Sequence, residues 1–151
     1  MRKQLIFVFV YLLVNAAQPA FSNDEPVLIR DPWSRASVGT RTPGVAYMTI
    51  KNTSNESLTL VGIETKIAEK STIHNTTVDK NGISSMSSVK EIQIKSGEEV
   101  FLQPGGLHAM LVNLQEPLIK GQSYQLTLIF DNGFQKSVDV PVFSISYTGN
   151  Q

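Results

Sequence analysis

Residues 123–133 read SYQLTLIFDNG. Tyr124, Leu126, Leu128 and Phe130 fall on one side of this stretch, with Gln125 and Thr127 on the other. That two-residue alternation belongs to a strand with one face buried. DNG follows as a hairpin turn, since Asn and Gly accept the left-handed backbone that tight hairpins need. Eight further stretches read in the same way: VLIRDPWSRAS, GVAYMTIKNTS, SLTLVGIET, STIHNTTV, VKEIQI, EEVFLQPGG, LHAMLVNL and QKSVDVPVFSI. Each is short, rich in β-branched and aromatic residues, and bounded by turn residues. KNG at 80–82 and SNES at 54–57 punctuate the chain as DNG does. No segment keeps a 3.6-residue apolar period over three turns. The pattern predicts an all-β domain, an antiparallel Greek-key sandwich or barrel of about eight to nine strands. The tail SISYTGNQ, residues 144–151, reads as a frayed end.

The first 22 residues stand apart from that pattern. Arg2 and Lys3 precede an unbroken apolar run from Leu5 to Val14, and Ala20-Phe21-Ser22 offers small residues for cleavage. This is the layout of a secretory signal, and the apolar run is shorter than the roughly 20 residues a membrane-spanning helix needs. Residues 1–22 are therefore expected to be a signal peptide that exports residues 23–151 as one domain, an uncleaved anchor being the alternative. Lipid attachment after the run is not expected, because no cysteine follows it. Residues 23–151 carry 11 basic and 13 acidic side chains, a net charge of −2. Without a basic run, nucleic acid is not an expected partner. The lack of cysteine excludes thiol redox catalysis, zinc–thiolate sites and blue-copper electron transfer.

The polar chemistry gathers in few residues. LQPGGLHAMLVNL, residues 102–114, places His108 and Met110 two apart, so that in a strand both point the same way. Gly105-Gly106 leaves that end uncrowded. The other histidine, His74, lies in strand-like STIHNTTV, and Met86 lies between the two in NGISSMSSV. Met86 is flanked by serines rather than by the apolar neighbours of a core methionine. Two imidazoles and two thioethers make a soft, uncharged donor set, suited to Cu(I) and poorly suited to calcium, magnesium or zinc. Thioethers also bind copper in an oxidising compartment without forming disulfides. Each residue has a plain alternative, since a β-face histidine is often a hydrogen-bonded structural residue and a methionine is often core filler. Spacing alone leaves both readings open.

Eleven residues separate His74 from Met86, and 21 separate Met86 from His108-Ala109-Met110. Together with DPWSRAS at 31–37, GVAYMTIKN at 44–52 and PLIKGQSYQLTLIF at 117–130, this resembles the periplasmic copper chaperones of the PCu(A)C type. The resemblance covers essentially all of residues 23–151. It implies a cupredoxin-like β-sandwich binding one Cu(I) per monomer near its surface through His74, Met86, His108 and Met110, and stepwise transfer from such a site calls for a shallow site with Met86 on a mobile loop. It further implies a non-enzymatic, periplasmic metallochaperone that serves copper homeostasis. Its acceptor would be the copper-bearing subunit of a terminal oxidase in cytochrome c oxidase assembly, and a second, thiol-containing copper chaperone is a further partner the resemblance implies. The protein is expected to be soluble after signal cleavage, and a monomer. Asn75 follows the first histidine where relatives often carry Met, and no His/Met-rich extension follows the domain, so a single Cu(I) site is expected. Trp33 and Tyr47 are expected to pack in the core or at its rim, Met48 in the core, and Arg35 to be an exposed or ion-paired strand residue, none of them with a metal role.

Three other classes compete. A copper scavenging or storage protein would use the same ligands. A secreted binding module would carry incidental histidines that do not converge. A hydrolase would need a serine nucleophile beside a histidine, and no G-x-S-x-G motif occurs.

Overall fold

The computed structural model describes residues 25–149, so the signal-peptide reading of residues 1–22 lies outside the described residues. Ten strands form, in order β1 (Val27–Arg35), β2 (Gly44–Asn52), β3 (Leu58–Glu64), β4 (Ala68–Val78), β5 (Ser84–Val89), β6 (Ile92–Ile94), β7 (Glu99–Leu102), β8 (Leu107–Leu114), β9 (Ser123–Phe130) and β10 (Gln135–Phe143). The all-β expectation holds, and the described residues include no helix. The strands hydrogen-bond along one unclosed path, β5-β4-β8-β2-β1-β10-β9-β3-β6, with β7 beside β2. Its two halves share a single core.

Alternation builds that core. Tyr124, Leu126, Leu128 and Phe130 of β9 are all buried, and so are Ala109 and Leu111 of β8, Ile73 of β4, and Ala46, Met48 and Ile50 of β2. Burying each large apolar side chain is worth about 1.5–3 kcal/mol relative to leaving it in water. Met48 thus packs in the core, 2% exposed, as its sequence setting implies. DNG closes the β9–β10 hairpin as expected, with Gly133 at a φ of 82° and the Asn132 carboxamide accepting from the Phe134 N–H.

Three expectations change in detail. There are ten strands rather than eight or nine, because NGISSMSSV contains β5. No hydrophobic alternation marks it. It becomes a strand because Asp79 organises the tight turn before it, accepting from the N–H groups of Asn81 and Ile83, while Gly82 takes a φ of 80°. The serine-rich stretch then pairs along β4 from Ile73↔Val89 to Val78↔Ser84. The pairing is also not wholly antiparallel, since the end of β1 runs parallel to the end of β10, Ser34 beside Val142 and Arg35 beside Phe143. Finally, the tail up to Gly149 is not frayed. Tyr147 stacks on Phe143 with centroids 4.2 Å apart and meets Trp33 edge-on at 4.9 Å. The Tyr147 carbonyl accepts from Arg35 Nε at 2.6 Å.

Candidate metal site

β4 and β8 pair antiparallel, with Thr72 opposite Met110 and His74 opposite His108. β5 adds to the other side of β4, with Met86 opposite Thr76. Directly opposed residues point to the same face, as do residues two apart on one strand. His74, Met86, His108 and Met110 therefore share one face, the side of the layer turned away from Ile73, Ala109 and Leu111. His74 sits centrally, with His108 straight across and each methionine one diagonal step away, a distance of about 7–8 Å that long side chains can bridge.

The imidazole rings of His74 and His108 lie 6.0 Å apart between centroids and 32° from parallel. Two imidazoles gripping one ion at about 2.0 Å per nitrogen place their centroids about 5–6.3 Å apart, as the angle at the ion opens from tetrahedral to linear. The observed separation falls in that window. Burial grades across the group: His108 is 5% exposed, His74 and Met110 are half-buried, and Met86 is 55% exposed. The site is thus deeper at its imidazole end than a shallow rim, and Met86 stands on an edge strand rather than a loop.

Neighbouring backbone and hydroxyl groups set the histidine tautomers. The Gly106 carbonyl lies 3.0 Å from His108 Nδ1. A carbonyl only accepts, so Nδ1 carries the proton and Nε2 keeps a free lone pair. Gln103-Pro104-Gly105-Gly106 positions that carbonyl: Gly106 N–H bonds back to the Gln103 carbonyl, and Gly105, at a φ of 80°, occupies the position of a type II turn that demands positive φ. The same Gly106 carbonyl also accepts from the Thr76 N–H, tying the turn to β4. His74 Nε2 lies 3.0 Å from the Thr72 hydroxyl. His74 Nδ1 is buried with no hydrogen-bond partner among the described residues. A buried, unpartnered ring nitrogen is costly unless a ligand meets it, and it is the group on this face that most directly asks for one. Burial, the neighbouring His108 and the Lys70 ammonium all hold the His74 pKa below the usual imidazole value. Each of these favours the neutral imidazole, the form that ligates metal.

Sequence reasoning missed Thr72 and the Gly106 carbonyl. Both lie two residues before a histidine, a spacing that puts a strand residue beside the ring. Among the described residues no three histidine or carboxylate side chains come together, so the donors on this face are imidazole and thioether. Trp33 and Tyr47 lie on the same outer face as a packed pair, centroids 4.4 Å apart, with the Arg35 guanidinium over both rings.

A family model described as "Putative lipoprotein LpqE-like" matches residues 27–142. The Leifsonia xyli subsp. xyli protein "Putative lipoprotein Lxx21020" is 34% identical over 138 residues, covering 91% of this chain and 81% of that protein. Both names speak of a lipoprotein, whereas this sequence has no cysteine to bear a lipid. Among solved structures, the apo PCuAC domain of PmoF2 superposes with a TM-score of 0.66 at 20% identity, over 83% of this chain and 95% of that domain. The Cu(I) form of DR1885 from Deinococcus radiodurans superposes at 0.60 with 29% identity, over 85% and 86%. The resemblance seen in the sequence thus holds in three dimensions, and the fold is that of PCuAC domains.

Proposed function

The chain belongs to the LpqE-like family, and from that premise we propose that the protein is a metallochaperone carrying one Cu(I) ion as cargo, held by His74, Met86, His108 and Met110. The observation that carries the reading is His74 Nδ1, buried and unpartnered, on a ring 6.0 Å from that of His108 with a methionine on either diagonal. The chemistry of the set supports the same ion. Thioethers favour the soft monovalent state, and four neutral donors leave its single charge uncompensated, which suits a carrier better than a permanent sink. The copper-bound relative of similar fold, DR1885, agrees with it.

The burial gradient suggests the order of handling. His108 is fixed by its bond to Gly106 and buried, His74 is held by Thr72, and Met86 stands out in solvent. A donor on an incoming acceptor meets Met86 first and displaces it, then Met110, before the rigid imidazoles release the ion. No step requires the protein to unfold or to change its own charge. In this proposal the protein acts in the periplasm and delivers copper to the copper centre of a respiratory oxidase, alone or beside a thiol-bearing carrier.

An anaerobic Cu(I) titration against a competing chelator tests the site. Wild type should bind one equivalent tightly, and Met86→Ala and His108→Ala should each bind it poorly. Undiminished binding in both variants would remove the proposed site. Transfer from the loaded protein to an isolated oxidase copper domain, absent with His108→Ala, tests the delivery step.

A further inference from the structure

We propose that the outer edge of β5 pairs with the same edge of a second copy of this chain, antiparallel, about a two-fold axis passing beside Met86. Natural edge strands are normally blunted by charge, proline, a bulge or brevity. The far edge of the path follows that rule by brevity, since β6 is only three residues long. β5 does not. From Asn81 to Val89 it carries no charge and no proline, its six strand residues are exposed or half-buried, and no described strand lies on its outer side.

The occupant follows from the sequence of the edge. Residues 84–88 read SSMSS, the same in both directions. An antiparallel partner centred on Met86 therefore meets like with like: Met86 beside Met86, and Ser84 beside Ser88 of the second copy. One step further out, Ile83, 63% exposed, comes opposite Val89 of the second copy, an apolar cross-strand pair that occurs twice. No charge faces a like charge within this span.

The backbone is in phase with that axis. Asp79 N–H donates to the Ile83 carbonyl, so Ile83 and alternate residues after it turn their backbone groups toward β4. Thr76, opposite Met86, instead sends its N–H to Gly106 on the β8 side. Ser84, Met86 and Ser88 are thus the residues whose N–H and C=O groups face outward, and a two-fold axis beside Met86 pairs each of them reciprocally. Such a contact is small and belongs with weak, reversible interfaces, so the expected monomer becomes one side of an equilibrium. Pairing does not depend on copper. Its consequence, two Met86 thioethers side by side on one continuous face and a route for copper between copies, rests on the function proposed above.

Because the chain has no cysteine, single-cysteine variants of the metal-free protein report the register directly. Residue 86 faces its own copy at about 5.5 Å between Cα atoms, inside the span a disulfide bridges. Residue 84 lies about 14 Å from its own copy, four residues of strand rise along and one strand spacing across. Under mild oxidation Met86→Cys should form a disulfide dimer at least about tenfold faster than Ser84→Cys, given that geometric limit. Adding Ser84→Pro to Met86→Cys should abolish the difference, because proline there removes an outward N–H at the first residue of an edge strand, where it is tolerated. Equal cross-linking rates for the two cysteines, no effect of Ser84→Pro, or sedimentation of the wild-type chain as species larger than a dimer would each overturn the proposal. None of these outcomes bears on whether the monomer binds copper.

Discussion

Thr72→Val separates the orientation of His74 from its presence. Valine keeps the shape and strand preference of threonine, so β4 and its pairing with Met110 across the ladder should persist. What disappears is the hydroxyl 3.0 Å from His74 Nε2. An intramolecular hydrogen bond of this kind contributes about 0.5–1.5 kcal/mol net, equivalent to roughly 2–12-fold in an equilibrium constant. Groups that orient a metal-bound imidazole are worth about 10–100-fold in affinity when removed. The overlap of the two ranges gives an expected loss of about tenfold in Cu(I) affinity, smaller than the loss from removing a donor outright. Chelator competition measures it. Nitrogen-15 spectra of the metal-free imidazole should show a shift in the His74 tautomer balance while His108, held by Gly106, stays unchanged. Affinity within about twofold of wild type, outside the range expected for an orienting partner, would refute the reasoning that Thr72 fixes the ring for ligation.

The remaining predictions are briefer. Copper affinity should fall between pH 7 and pH 5 because protons compete for both imidazoles, and a flat profile would speak against histidine ligation. His74 titrates below the usual imidazole value in the fold. The unfolded chain therefore binds that proton more readily, and metal-free stability should decline as pH drops below about 6.5. Chemical denaturation across that range would show no such decline if His74 were not held neutral. Gly105→Ala forces an L-residue to a φ of 80°, at about 1–2 kcal/mol. Because Gly105 belongs to the turn that aims the Gly106 carbonyl, melting temperature and copper affinity should fall together, and an unchanged affinity would detach the turn from the site. Leu128→Ala empties a fully buried position on β9 and should cost about 2–5 kcal/mol. Titration at a temperature where this variant stays folded should still give wild-type affinity, as β9 contributes no donor.

Strands whose side chains must separate core from water were legible in the sequence, because burial imposes alternation. β9 shows this most clearly. β5 was not legible, since neither of its faces is buried. Its conformation comes from the turn at Asp79 and Gly82 and from a partner strand, and serine-rich composition carries no trace of either. The tail escaped for a related reason: Tyr147 finds Trp33 and Phe143 only after β1 and β10 have come side by side. At the candidate site, the pairing of His108 with Met110 followed from strand parity. The meeting of His74 with His108 depended on register between strands more than 30 residues apart, which residue spacing alone leaves open and family resemblance anticipated. Thr72 and Gly106 needed the same register before their roles could be seen.

X-ray absorption at the copper edge of the anaerobically loaded protein addresses the central claim most directly. The account predicts monovalent copper with both imidazole nitrogens, at about 2.0 Å, and thioether sulfur, at about 2.3 Å, in one shell, with the sulfur contribution reduced in Met86→Ala. A shell of nitrogen and oxygen without sulfur, or one unchanged when His74 and His108 are both replaced by alanine, would contradict it.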